Sequence, residues 1–190
     1  MRLNLKRTIA AAIGTVLLFG TASAFAFPPK PTPIEPSYAS ERASKLLSEI
    51  RAENVALRVS AETLESFSGQ QQPSWRTHAA HLEQVKAHIN EVGIRTAELQ
   101  QIRDRALPWQ QQAITEVTSH AARVATSTQA ALVYLNENQS HLFAPEYANH
   151  LTNIADSSRS MHQSVSKFLD FERTQQRLQR LQAELELAPD

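Results

Sequence analysis

The placement of proline and glycine constrains this chain more than any other feature. Beyond a proline-rich lead, prolines fall at positions 36, 73, 108 and 145, at intervals of 37, 35 and 37 residues. After position 36 the only glycines are Gly69 and Gly93. Proline is favoured in the first turn of a helix and disrupts a helix interior. Each interval therefore predicts one helix of about 30 residues, roughly 45 Å long at 1.5 Å per residue.

Apolar residues recur at alternating steps of three and four within each interval. This spacing is typical of the seam of a helix bundle. The predicted seam of the first interval is Ala43, Leu46, Ile50, Leu57, Leu64 and Phe67, with Glu53 and Ser60 as polar interruptions. The other three intervals keep the same rhythm. Strand signals, meaning alternating β-branched residues bounded by hairpin turns, are missing from the sequence. The sequence therefore predicts an all-α fold.

The connections between the predicted helices are short, about 4 to 8 residues, which places consecutive helices side by side in opposite directions. We therefore expect an up-down-up-down antiparallel four-helix bundle over residues 37–188, with an extended last helix. The expected helices span about 37–68, 74–105, 109–138 and 145–186. One long helix kinked at Pro108 is the alternative to a turn there. The seam changes phase across this point, which favours the turn.

The first 26 residues have the pattern of a secretory signal peptide. Arg2, Lys6 and Arg7 precede an uncharged stretch with the apolar centre IAAAIGTVLLFG, and Ala-x-Ala exits follow at 22–24 and 24–26. An uncleaved membrane anchor is the alternative, since residues 8–27 could just span a bilayer. Residues 27–36, FPPKPTPIEP, predict an extended linker, largely polyproline II. We expect an exported protein, periplasmic or secreted, of a bacterial envelope.

The composition excludes several functional classes. The chain has no cysteine, which rules out a disulfide scaffold, a thiol nucleophile, a cysteine metal site and covalent haem attachment. Its 19 Lys and Arg balance 19 Asp and Glu, so there is no electrostatic argument for binding nucleic acid. Catalytic signatures such as G-x-S-x-G, H-E-x-x-H and a phosphate-binding glycine loop are missing. We therefore predict a protein that is not an enzyme and that carries no cofactor.

The seven histidines suggest one alternative, a divalent metal site. Counting helical turns places three of them at nearly one level on three helices: His88, His120 and His162. Imidazoles on facing helices can ligate a divalent metal. The carboxylates that could complete such a site are Glu53, Glu91 and Glu116. The other interpretation is that these histidines lie at the boundary of the core and bind nothing.

Aromatic residues map to the two ends of the predicted bundle. One end holds Phe67, Trp75, Tyr134, Phe143 and Tyr147. Aromatic side chains at bundle ends usually close the core. A small-molecule pocket beneath this cluster is the alternative interpretation.

The last predicted helix is longer than the other three, and about ten residues should project beyond the bundle. Leu178, Leu181 and Leu185 form a short apolar stripe on this segment. A solvated tail is one interpretation. The other is a segment that packs on Ile34 and the Pro-rich lead, on a second copy, or on a protein partner. Our leading hypothesis is a non-enzymatic exported bundle that binds or scaffolds another envelope component. The alternative is a bundle that binds a metal or a small ligand.

Overall fold

The computed structural model describes residues 38–69 and 74–187, and 93% of these residues are helical, with no strand among them. Its four long helices are α1 (Tyr38–Ser66), α2 (Trp75–Ile102), α3 (Pro108–Glu137) and α4 (Pro145–Leu187). The all-α prediction with four packed helices is confirmed. The predicted signal peptide and Pro-rich linker lie outside the described residues.

The first two helices end in single 3-10 turns, Phe67–Gly69 after α1 and Arg103–Arg105 after α2. We had expected α-helix as far as residues 68 and 105. A 3-10 turn tightens the last turn and satisfies carbonyls that have no partner further along the helix. After the second of these turns Ala106 and Leu107 are extended, as the residue before a proline prefers. The chain therefore turns at Leu107 instead of continuing as one kinked helix.

Hydrogen bonds of the Gln110 side chain link the start of α3 to α1. Its side-chain oxygen accepts a hydrogen bond from the backbone N–H of Leu107 at 3.0 Å. Its amide nitrogen donates to the carbonyl of Ser40 and to the hydroxyl of Ser44, both at 2.9 Å. The side chain is fully buried, and both ends of its amide have partners. A buried amide satisfied in this way fixes the position of the turn relative to α1.

Each helix packs on two neighbours, in the order α1, α2, α3, α4 and back to α1, around one apolar core. The contact between α3 and α4 is the most extensive. The facing positions of these two helices include small residues: Ala121, Thr128, Ala131 and Ser158. Small side chains let helix backbones approach closely. The largest fully buried apolar side chains are Leu46, Leu47, Ile50, Leu57, Leu64, Leu82, Leu99, Ile114, Leu151, Ile154 and Met161.

The seam of α1 differs from the sequence prediction in its middle. Buried positions run from Ile50 through Asn54, Leu57 and Ala61 to Leu64, so the rhythm of four and three is unbroken. Glu53 and Ser60, which we had assigned to the seam, are only partly buried. That assignment was wrong because the seam passes through the next residue in each case, Asn54 in place of Glu53 and Ala61 in place of Ser60. The helix instead buries Asn54 completely.

Candidate functional site

The C-terminal part of α4 extends away from the other three helices. Its last contacts with them are the hydrogen bond from Ser44 to Glu172 and the edge-to-face contact of Phe171 with Trp109, whose ring centroids lie 5.7 Å apart. All fourteen residues from 173 to 186 are exposed. At 1.5 Å per residue this projecting segment is about 21 Å long. We call residues 173–186 the projecting segment.

The leucines of the projecting segment are exposed to solvent. Leu178, Leu181 and Leu185 have exposed fractions of 50%, 47% and 77%. Phe171, two residues before the segment, is 43% exposed and lies on the same side of the helix. Residues separated by alternating steps of three and four form one narrow face of a helix. Phe171 and the three leucines therefore lie on one face, with Thr174 between Phe171 and Leu178, and we call this face the leucine stripe.

The leucine stripe does not continue the bundle seam of α4. That seam includes Ser158, Met161, Val165 and Phe168, which are all buried. Continued at the same spacing beyond Phe168, it would fall on Glu172, Gln175, Gln179 and Gln182. The leucines lie one residue earlier, which turns their face by about 100° around the helix axis. The stripe is therefore a second apolar face, directed away from the core of its own bundle.

A helix with little tertiary packing is weakly stable in water. Isolated helices shorter than about 12–15 residues are marginal, and most helical stability in proteins comes from packing of an amphipathic face. The projecting segment has a face of this kind, and nothing among the described residues covers it. This arrangement is suited to binding another apolar helix face.

The structure does not bring the six predicted metal-binding residues together as one group. His88 Nδ1 lies 2.6 Å from Glu53 Oε1. Glu91 accepts a hydrogen bond from Arg95, and Glu116 accepts one from Gln112 at 3.0 Å. The Nδ1 atoms of His120 and His162 are buried and have no hydrogen-bond partner within the described ranges of the chain. Among the described residues, no three histidine or acidic side chains come together as a group that could hold a metal ion.

Burial affects the titration of one histidine at this level. Desolvation lowers the pKa of His120 below its usual value, and the positive charge of Arg123 lowers this pKa further. Glu116 acts in the opposite direction. Burial therefore disfavours the charged form of His120, which suits its place beside the core.

A buried histidine and a buried tyrosine meet at the other end of the bundle, between the first turns of α2 and α4. His78 Nδ1 lies 3.0 Å from the hydroxyl of Tyr147, and both side chains are fully buried. Phe67 contacts the His78 ring edge-on, and Tyr134 stacks on Tyr147. His78 Nε2 has no hydrogen-bond partner among the described residues. Burial, and then the charge of His81, lower the pKa of His78, which disfavours its charged form.

The sequence predicts that aromatic residues gather at this end. In the structure His78 contacts both Phe67 and Tyr147, and Tyr134 joins the cluster through Tyr147. Trp75 and Phe143 lie at the surface instead, with exposed fractions of 37% and 58%. The contacts of the buried members are ring-to-ring, which closes the core. This cluster therefore has the properties of a structural plug.

Asn54 is the residue that sequence reasoning missed. It lies in the middle of α1, is 0% exposed, and neither its amide oxygen nor its amide nitrogen has a hydrogen-bond partner among the described residues. A buried polar group without a partner costs roughly 1–3 kcal/mol. The neighbouring Glu53 is the partner of His88, so the polar residues of this part of α1 have different roles.

A shallow cleft of about 470 Å³ lies between α3 and α4. The residues that line it include Ser119, Thr126 and Ser157, with Arg123 at the side, and the cleft is open to solvent. Pockets that bind small ligands usually enclose most of the ligand surface. The cleft is therefore a weaker candidate for a functional site than the leucine stripe.

Comparison of the chain with protein-family models, with characterised proteins and with solved structures gives no match. In the part of the chain that the structure describes, none of the helices is both long enough and apolar enough to cross a membrane.

Proposed function

We propose that this chain is an exported, non-enzymatic four-helix bundle that binds or scaffolds another component of the bacterial envelope through the leucine stripe of α4. The observation that carries the proposal is the stripe itself. It is exposed, it lies on a helix that is continuous with the bundle, and it faces away from the core that the same helix helps to form.

The proposed bundle is antiparallel, with helices that alternate in direction. Contacts between helix ends support this arrangement. Arg42 near the start of α1 pairs with Glu98 near the end of α2, and Glu53 pairs with His88 in the middle of the same two helices. Arg159 pairs with Glu65, which is near the end of α1. These pairs fit helices that run in opposite directions.

The proposal of export is supported by the sequence of residues 1–26. A basic start, a short apolar stretch and small residues at the exit form the pattern that signal peptidases recognise. Intact-mass measurement of the protein recovered from the cell envelope tests this proposal. We expect a chain that begins after Ala24 or Ala26, whereas a chain that begins at Met1 or Arg2 would contradict cleavage.

The binding role is tested by removing the stripe and leaving the helix in place. In the first variant Leu178, Leu181 and Leu185 are replaced by alanine, which keeps the helix propensity high. A photoactivatable cross-linker at Gln182 then reports on contacts in the intact envelope. We expect a cross-linked product of defined mass with the natural chain and loss of that product in the variant.

A matched control separates the stripe from exposed apolar surface in general. Val59, Ile94 and Val133 lie on three other helices and are 54%, 57% and 45% exposed. Their triple alanine variant should keep the cross-linked product. Equal loss in both variants, or a product that does not depend on the leucines, would show that the stripe is not the binding surface.

A further inference from the structure

We infer that the leucine stripe pairs with the leucine stripe of a second copy of this chain, and that the two helices lie antiparallel. This inference rests on the proposed binding role of the stripe, and it takes the envelope component that the stripe contacts to be a second copy of the same chain. It follows from the spacing of the apolar residues and from the order of the charges along the projecting segment.

The spacing is that of a short coiled coil. Phe171, Thr174, Leu178, Leu181 and Leu185 follow one another at steps of three, four, three and four. In heptad notation these are alternating a and d positions, which form the contact face of paired helices. The same face is exposed in the single chain. Two heptads are thus available to a partner with the same spacing.

The charges distinguish one orientation from the other. Arg177 and Glu184 both occupy the g position, one residue before a leucine of the stripe. In an antiparallel pair, g faces g, so Arg177 of each copy lies beside Glu184 of the other. In a parallel pair, g faces e, and Arg177 would lie beside the neutral Gln182. Antiparallel pairing therefore forms two ion pairs that parallel pairing lacks.

The same charges select one register. When Leu178 of each copy packs on Leu181 of the other, Leu185 packs on Thr174 and both ion pairs form. Sliding one helix by a heptad places Glu184 of one copy against Glu184 of the other, which is repulsive. Neither Arg177 nor Glu184 makes an ion pair with another described residue, so both are available to the second copy.

The expected complex is weak and reversible. Specific stable interfaces bury about 1,200–2,000 Å² in total, and two stripes of this length cover less than that. We therefore expect a dissociation constant of roughly 1–100 μM. Such a dimer forms where the chain is concentrated, as at a surface on which copies are assembled.

Charge reversal tests the pairing with the full purified chain in sedimentation equilibrium. Arg177→Glu and Glu184→Arg each replace two attractive contacts by two repulsive ones, and we expect each to weaken the dimer about tenfold. An equimolar mixture of the two variants restores both ion pairs in a heterodimer. The double variant, carrying both changes in one chain, restores them in a homodimer. Arg180→Glu is the control because residue 180 lies outside the contact face.

Cysteine placement tests the orientation, since the natural chain has no cysteine. Thr174→Cys and Leu185→Cys proteins are mixed and oxidised. Antiparallel pairing predicts a disulfide between the two different variants. Parallel pairing predicts disulfides between two copies of the same variant, because it brings each residue to its own counterpart.

Three results would overturn the inference. These are a chain that remains monomeric throughout the micromolar range, a dimer that charge reversal leaves unchanged, and disulfides only between identical variants. If the chain stays monomeric while the stripe-dependent cross-link in the envelope persists, the partner is a different protein. In that case the proposed function stands and the self-pairing is wrong. If the chain stays monomeric and the stripe-dependent cross-link is also missing, the proposed function is refuted as well.

Discussion

Replacing Asn54 by leucine should make this protein more stable, although Asn54 is fully buried and most substitutions at buried positions are destabilising. Its two amide atoms have no hydrogen-bond partner among the described residues, and both lie in the apolar interior between the helices. Removing a buried unsatisfied polar group recovers about 1–3 kcal/mol. Burying a leucine side chain in its place adds about 1.5–3 kcal/mol. After allowance for imperfect fit, we expect the free energy of unfolding to rise by about 2–4 kcal/mol.

Urea denaturation followed by circular dichroism measures this change, and the thermal midpoint should rise by about 5–15 °C. Gln110→Leu is the matched control, because Gln110 is an equally buried amide whose partners are known. It should lower the free energy of unfolding by about 1–3 kcal/mol, since three hydrogen bonds disappear. The two substitutions remove the same chemical group and should have opposite effects.

An unchanged or lower stability of Asn54→Leu would refute the reasoning. It would show that the Asn54 amide is hydrogen-bonded in the folded protein, for instance to a buried water. A variant that is more stable but no longer has a single oligomeric state or sharp side-chain NMR signals would show that Asn54 selects one packing arrangement of the helices. A polar residue in a helix seam can fix register at a cost in stability.

Three further predictions concern the ends of the bundle. Because burial lowers the pKa of His78, the unfolded chain binds more protons at this residue below about pH 6.5, so the contribution of His78 lowers stability as the solution is acidified through that pH. His78→Phe should remove this part of the pH dependence in urea titrations at several pH values. Tyr147→Phe removes the hydroxyl beside His78 and should lower the free energy of unfolding by about 1 kcal/mol, measured in the same titrations. Truncation after Gln175 should cost about 1 kcal/mol or less, and a much lower melting temperature of the monomeric truncated chain would mean that the projecting segment belongs to the core.

The helical class and the number of helices could be predicted because both depend on local signals. Pro108 and Pro145 each stand at the first residue of a helix, where the missing N–H of proline has no cost. The apolar rhythm between them needs no knowledge of the neighbouring helices. For this reason the sequence alone was sufficient to predict four packed helices, and the structure confirms them.

The polar interior could not be predicted in the same way. Glu53 and Asn54 are adjacent, and the sequence does not state which of them faces the core, because that depends on the rotation of α1 against its neighbours. The unbroken spacing of four and three from Ile50 to Leu64 through Asn54 was a signal that Asn54 is buried. A polar side chain is not expected at a buried seam position, and this expectation outweighed the spacing. The bonds of Gln110 likewise depend on α1 and α3 meeting in space.

The unbroken course of α4 determines the position and orientation of a partner bound at its far end. From Glu146 to Leu187 the helix contains neither proline nor glycine, so the segment inside the bundle and the segment outside it turn as one body. Distance and angle between the bundle and a bound partner are then fixed by the number of residues. A seven-residue insertion after Gln175 would move the partner outward by about 10 Å and turn it only slightly, while a two-residue insertion would carry it to the opposite side. In this chain the length of α4 thus sets both the distance and the direction of a bound partner relative to the bundle.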